Sequence, residues 1–567
     1  MRWRPLLLPV LAVLVVHGAA LKNGFVYDDG RFITGNPAVV RGVPLPNYFT
    51  DPSTFSADEV TTGAWRPLRT ILWRVVVKLA GETPEPWAFR LLNILLHGLA
   101  AALLVRLLQG VGMAAWPSSL AATLFAVHPM TVEAVDWVSS LAEPLTAVLL
   151  LSFLLARPKI TGLWKRPVFL VAGAFVVLLA KESAAGLPVL LAAHGLARRE
   201  RFSAVLRDAG WASLGVLLYI VARWRVLGEG FGQEERDAAG ALFEMGRGWL
   251  EYLRTFALLR QPVFDEYWPT PSPAHLAAVG WGLMAVLAVW GARGVWRARR
   301  ESAPGPAALG ALAVVGAFLP VMQWIPLNII VADRFAYLAL MPASALVVGG
   351  LFRWAPRRAA AWTAGAILLV SAGRALVAER AWRDDEQLWK AVLDRREEMS
   401  ISGRPSWYLR ARFNWGRAVF DRFSSAEAAR DSKEFDEAFA ALREGYQVAP
   451  GGAVRLARAA LRMHRPVVAF SAAAESISRA LGGDAVARRN LDAAFTIMEA
   501  ALIQDVMNAP PDQKRVRARA ALAALENPEF ALARRLGTAG SFLRRRLVQF
   551  LKMRKTLLEI LGRGKDA

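Results

Sequence analysis

Long apolar runs recur along this chain, and most are closed off by a short cluster of arginines. Residues 6–16, 91–108, 168–180 and 308–319 carry almost no charge. A bilayer interior offers no water to satisfy backbone N–H and C=O groups, so such runs must be helices. Several of them in one chain must pack as a bundle. The sequence therefore predicts an all-α fold, a polytopic membrane helical bundle. That 55% of the 567 residues are hydrophobic follows from such an architecture.

The loop charges give the sidedness. With Arg2 and Arg4 cytoplasmic, the positive-inside rule predicts about eleven spans. They lie near 5–21, 87–108, 113–128, 143–156, 167–180, 184–197, 209–227, 275–295, 306–325, 335–352 and 359–377. The clusters Arg157/Lys159/Lys165/Arg166, Arg198/Arg199/Arg201/Arg207, Arg297/Arg299/Arg300 and Arg353/Arg357/Arg358 then all fall inside. Arg66, Arg69, Arg74, Arg90, Arg223 and Arg225 are outside and break the rule. Several spans are shorter than the ~20 residues of a straight crossing, so they must tilt or sit among neighbours. Segment 246–260 is too charged for a plain span and reads as interfacial or re-entrant. Glu229, Glu234, Glu235 and Asp237 populate the outer loop before it. The N-terminus has the charge pattern of a signal peptide, but no small-residue cleavage site follows, so it reads as a retained first helix.

The net charge of +22 (69 Lys and Arg against 47 Asp and Glu) does not point to nucleic acid, because the arginines sit between apolar blocks. The absence of cysteine excludes disulfides, thiolate metal sites and a Cys nucleophile. Abundant Arg and Ala suggest a GC-rich bacterial genome, and hence a bacterial inner membrane.

Two domains are expected: a multi-span membrane domain over 1–378, with a long polar first outer loop at 22–86, and an extracytoplasmic helical domain over 379–567. Within the latter, 411–450 reads as helix, connection, helix, with Asn414, Gly416, Ala438, Tyr446 and Pro450 as landmarks. That spacing is close to a tetratricopeptide unit of about 34 residues with a small insertion. Helices over 451–481, 484–508 and 513–562 follow, broken at Gly482-Gly483 and Pro510-Pro511. Either a groove for an extended peptide or a plain helical cap on the membrane domain fits this pattern.

Ionisable residues at helix ends in a membrane are costly to desolvate, and each is a candidate for function. With the topology above, they collect on the non-cytoplasmic side. Asp28 and Asp29 follow the first span. His128, Glu133 and Trp137 follow the third. Lys181 and Glu182 form a hairpin tip, and Asp333, Arg334 and Tyr337 open the tenth span. Each also has an ordinary reading, as loop carboxylate or helix cap, helix terminator, surface pair, structural ion pair or interfacial aromatic.

Taken in order, these segments resemble the transmembrane and tetratricopeptide-repeat O-mannosyltransferases and their bacterial relatives, polyprenyl-phosphate-sugar glycosyltransferases of the GT-C fold. The matching pieces are Tyr27-Asp28-Asp29 with Ile33 and Asn36-Pro37, Trp65-Arg66-Pro67-Leu68, Arg90-Leu91-Leu92-Asn93 with His97, and 128–137. Ala180-Lys181-Glu182-Ser183, 332–337, and Trp382, Asp384, Leu388 and Trp389 complete the set. The resemblance implies transfer of a sugar, mannose or another hexose, from a polyisoprenyl-phosphate carrier in the membrane lipid to a hydroxyl, on the non-cytoplasmic face. Protein Ser/Thr would be the acceptor, with an envelope lipid or glycan as the alternative. Asp28 or Asp29 would be the base, Asp28 by a small margin, with the other as orienter or metal ligand. Arg66, Lys181 and Arg334 would hold the donor phosphate. His128, Glu133, Trp137, Glu182, Asp333 and Tyr337 would orient substrate. Asp28, Asp29 and Glu133 would be the ligands of a divalent cation, if one takes part. The helical repeats would present an acceptor protein. A non-catalytic membrane scaffold is the competing class.

Overall fold

A computed structural model describes residues 4–57, 64–228, 238–257, 272–300, 306–324, 327, 329–398, 406–422, 433–447, 452–462, 466–481, 490–510 and 513–525. Its regular elements are all helical, and it divides into two compact units, Met1–Ala391 and Val392–Ala567.

The first unit begins with α1 (Arg4–His17), which runs on as a 3-10 turn, Gly18–Lys22. The connection after it carries α2 (Pro67–Leu79). Then come α3 (Pro86–Gly110), α4 (Ala115–Val127), the short α5 (Val132–Asp136) and α6 (Ala142–Ala156). They are followed by α7 (Lys165–Ala180), α8 (Leu187–Ala197), α9 (Phe202–Leu227), α10 (Ala238–Ala257) and α11 (Ala274–Arg300). The set closes with α12 (Pro306–Phe318), α13 (Asp333–Trp354) and α14 (Arg357–Glu379), and the division falls within α15 (Asp385–Glu398). Each of the eleven expected spans coincides with a helix. Among the described residues, seven continuous helical segments are long and apolar enough to cross a membrane: Arg4–Lys22, Pro86–Gly110, Val138–Lys159, Phe202–Leu227, Ala274–Arg300, Asp333–Trp354 and Arg357–Trp382. The other four, α4, α7, α8 and α12, are short helices packed among their neighbours. This is the protein-lined setting in which an undersized membrane helix is tolerated.

Small residues set the closest crossings. α10 meets α11 where Gly246 faces Gly280, and a Cβ on Gly280 would overlap the Gly246 carbonyl oxygen. Likewise the turn Glu182–Gly186 sits against the end of α12, where a Cβ on Gly186 would overlap the Gly316 carbonyl. Such small-residue contacts let helix backbones approach without side chains between them. At the arginine-rich end, Arg157 bonds Asp208 at 2.8 Å and Glu200 at 2.5 Å, and Arg166 joins the same Asp208. These partners draw Asp208 into α9, which starts at Phe202, seven residues before the expected span.

The loop over 22–86 is not simply polar. Phe32, Ile33, Val39, Phe55, Trp73 and Val77 form a small core that extends to Phe89, Val138 and Leu141 at the tops of the helices. Arg69 is buried within it, its guanidinium carbon 4.2 Å from the Phe55 ring centroid, 4.3 Å from Trp73 and 4.8 Å from Phe32. Segment 246–260, expected to be interfacial or re-entrant, is helical through Ala257. Its remainder, like the acids Glu229, Glu234, Glu235 and Asp237, lies outside the described residues.

The second unit contains α16 (Ser406–Arg422), α17 (Lys433–Gly445), α18 (Gly452–Arg462), α19 (Pro466–Leu481), α20 (Leu491–Met507) and α21 (Lys514–Leu525). α16 pairs with α17, and α19 packs on α18 and α20. The landmark Gly416 is where α16 touches α17, since a Cβ there would press on the Ala438 carbonyl. Phe413, Phe420, Phe435 and Phe439 fill the seam. The breaks expected at Gly482-Gly483 and at Pro511, and the helix expected beyond 525, lie outside the described residues, as does the landmark Pro450.

Candidate active site

The backbone enters the first outer loop through Tyr27, a non-glycine residue at φ +53°. This left-handed conformation costs an L-residue roughly 1–2 kcal/mol and persists only where surroundings impose it. Here the Tyr27 N–H donates to the Asp385 carboxylate at 2.5 Å, and its ring lies edge-on to Trp389. The turn separates the two following carboxylates. Asp29 is fully buried and accepts from the Val26 N–H, the Ser139 N–H (both at 2.9 Å) and the Ser139 hydroxyl. Burial pushes its carboxyl up to about 6, against the opposing pull of the Ser139 and Val26 bonds and the nearby Arg90 charge. Asp28 points elsewhere, is partly open to solvent, and pairs with Arg31 one turn on at 2.7 Å.

Three cations come together at the same end of the bundle. Arg66 precedes α2, Lys181 lies in the α7–α8 connection, and Arg334 is in the first turn of α13. Arg66 pairs with Glu182, Lys181 with Glu143, and Arg334 with Glu133, whose other oxygen accepts the Arg334 N–H at 3.1 Å. Burial, then repulsion from Arg66 and Arg334, pushes the Lys181 ammonium well below its ordinary range. Burial would raise the Glu182 carboxyl, but Arg66 outweighs it and holds the acid well below the carboxylate range. Trp137 joins both groups. The Arg334 guanidinium is 5.4 Å from its ring centroid, Tyr27 packs beside it, and Trp382 stacks on it at 5.6 Å.

Not every expected residue reaches this cluster. The His128 ring accepts the Met130 N–H at Nδ1, approaches the Phe256 carbonyl through Nε2, and stacks on Phe256. Tyr337 lies one turn deeper than Asp333 and bonds His97 Nδ1 at 2.6 Å. Asp333 opens α13 and is buried. Asp28, Asp29 and Glu133 do not gather. Among the described residues no three His, Asp or Glu side chains are grouped as metal ligands, and each of these acids has its own donor. This arrangement does not fit a bound divalent cation.

Several residues here escaped the sequence reading. Glu143 is the partner of Lys181, and its signal was an acid in the first turn of an apolar helix. Ser139 holds Asp29. Below the cluster, His17 Nδ1 bonds Asp136 at 2.8 Å, the His17 and His97 rings meet edge to face, and both approach the Ala126 carbonyl. Asn93 donates to the carbonyls of Val135 and Trp137, and Arg90 to Gly24 at 2.5 Å. These bonds fasten the Glu133–Trp137 segment and the loop entry to α1 and α3.

The fold and this cluster define a multi-pass, all-helical membrane protein with an ionic site at one end of its bundle. In sequence the chain is similar to protein O-mannosyl-transferases. It is 37% identical over 131 residues to Tmtc2 of Drosophila melanogaster, covering 23% of this chain and 14% of that protein. It is 31% identical over 174 residues to Tmtc1 of the same organism, covering 30% and 20%. It is 32% identical over 152 residues to TMTC1 of Homo sapiens, covering 25% and 17%. The matched stretches thus span no more than 20% of these relatives. No family model matches the chain, and no solved structure matches it.

Proposed function

We propose that this chain is a membrane glycosyltransferase. It moves a hexose, mannose first among them, from a polyisoprenyl-phosphate donor to a Ser or Thr hydroxyl of a protein, at the non-cytoplasmic face of a bacterial inner membrane. The observation that carries this reading is the grouping of Arg66, Lys181 and Arg334 close enough to perturb one another's charge. Fixed cations aimed at a leaving phosphate stabilise the charge that develops on it, and they are worth most where water is scarce. Each now faces a carboxylate, which a donor phosphate would displace or share.

In the proposed reaction the acceptor oxygen attacks the sugar's anomeric carbon and the bond from that carbon to the phosphate oxygen breaks. The lipid phosphate leaves with the electron pair. The hydroxyl proton passes to Asp28, the more accessible of the two loop acids, while Asp29 holds the loop through Ser139. Trp137, Glu133, Glu182 and Asp333 orient the substrate beside these cations, with His128 and Tyr337 supporting them from below. The second unit presents the acceptor protein. The names of the relatives support the reaction class and the acceptor; the donor and the face rest on the charge pattern and on the resemblance.

The test uses the full chain in proteoliposomes with a polyisoprenyl-phosphate mannose donor and Ser/Thr-containing acceptor proteins. Wild type should add a hexose, and Asp28→Asn should lose this by two or more orders of magnitude. Transfer that is indifferent to Asp28 and to Arg334→Gln together would refute the assignment.

A further inference from the structure

At the opposite, arginine-rich end of the bundle a cavity of about 600 Å³ opens between α3, α6, α8, α12 and α13. Its walls are almost wholly aliphatic, with Leu108, Leu154, Ala313 and Met341 among them. Two polar groups break that pattern. His194 is buried, and its Nδ1 has no hydrogen-bond partner among the described residues. Arg353 stands at the exposed rim, in the last turn of α13. A buried polar atom without a partner is unusual and calls for an explanation, and an aliphatic pocket with a few placed polar groups is the ordinary form of a ligand site.

We propose that this cavity is a binding site for one anionic glycerophospholipid, with an acyl chain among the leucines, an ester carbonyl accepting from His194 Nδ1, and the phosphate against Arg353. The charge pattern selects this occupant. The mouth carries the Arg353 cation, and near it Arg198, paired with Glu200 at 3.4 Å, donates to the Gly110 carbonyl beside the rim residues Val111 and Gly112. A zwitterionic lipid would bring its own cation up against Arg353, an uncharged one would leave Arg353 unmatched, and a wholly apolar one would leave His194 unmatched as well. The site is separate from the proposed donor site. Arg334 and Arg353 are nineteen residues apart on one helix, about 28 Å at 1.5 Å per residue, too far for a single phosphate to serve both.

The test takes the delipidated full chain in detergent and titrates it with phosphatidylglycerol or phosphatidylcholine of equal chain length. Bound copies are read by native mass spectrometry and stabilisation by the thermal midpoint. One phosphatidylglycerol should bind at least tenfold more tightly than phosphatidylcholine. Arg353→Glu, at an exposed position that leaves folding intact, should remove that preference. Ala313→Phe should fill the cavity and abolish binding, and His194→Leu should weaken it severalfold. Equal binding of the two lipids, or a preference that survives both Arg353→Glu and Ala313→Phe, would overturn the proposal. Retention of a polyisoprenyl phosphate in place of phosphatidylglycerol would overturn it too. Sugar transfer does not enter these readouts, so they stand or fall apart from the proposed enzymatic activity.

Discussion

The Glu133 carboxylate grips Arg334 twice, taking the guanidinium with one oxygen and the backbone N–H, at 3.1 Å, with the other. A side chain from α5 thereby caps the N-terminus of α13 and orients its cation, uniting a favourable end-of-helix charge with a buried ion pair.

Removing one member of such a pair strands the other. Glu133→Gln should destabilise the fold by about 3 kcal/mol, since the uncompensated partner rather than the lost attraction sets the cost. Replacing both, Glu133→Gln with Arg334→Gln, should recover part of that loss. Chemical denaturation of the four members of the cycle measures the coupling.

Asp28 and Asp29 should behave oppositely. Asp28→Asn loses a partly exposed ion pair with Arg31 and should shift stability by less than about 1 kcal/mol, while sugar transfer collapses. Asp29→Asn disturbs three buried bonds and should cost about 1–3 kcal/mol. Thermal midpoints alongside transfer rates separate the two residues.

Asp29 also has a pH signature. Its folded-state pKa, about 6, stands above the unpaired value of 3.8, so the folded state holds this proton more tightly. Its stabilising contribution is full below the unpaired value and is lost as pH rises through about 6. The midpoint of the wild type should therefore fall relative to that of Asp29→Asn between about pH 4 and pH 7. A difference that is flat over this window would contradict the buried, desolvated placement of the carboxylate.

Gly186→Ala and Gly280→Ala should each destabilise the protein by about 1–3 kcal/mol or more, because the added methyl meets a backbone carbonyl that cannot rotate away. Gly365→Ala, where no neighbour lies within 4 Å of the added carbon, is the control and should be near neutral or slightly stabilising.

Hydropathy made the helices legible because membrane burial leaves so blunt a trace. All eleven expected positions carry one, even where the helix is as short as Leu187–Ala197. The start of α9 was misplaced because Arg207 and Asp208 look like loop residues until Arg157 and Arg166 are set beside them. The outer loop read as polar because its aromatic residues are scattered singly, and only folding gathers Phe32, Phe55 and Trp73 around Arg69. At the site, the cations and acids stood out singly, but their pairing did not. Nothing in the order of residues says that Lys181 meets Glu143 rather than its neighbour Glu182, or that Ser139 reaches back 110 positions to Asp29.

That last bond bears on how far the loop can move. With Asp29 fastened to Ser139, Tyr27 to Asp385 and Arg90 to the Gly24 carbonyl, the segment around Asp28 is stapled at three points. It is poorly suited to swing as a gate, since each opening would forfeit a buried or partly buried bond. If Asp28 takes the acceptor proton as proposed, the acceptor must come to it sideways, around a fixed threshold rather than through a moving door.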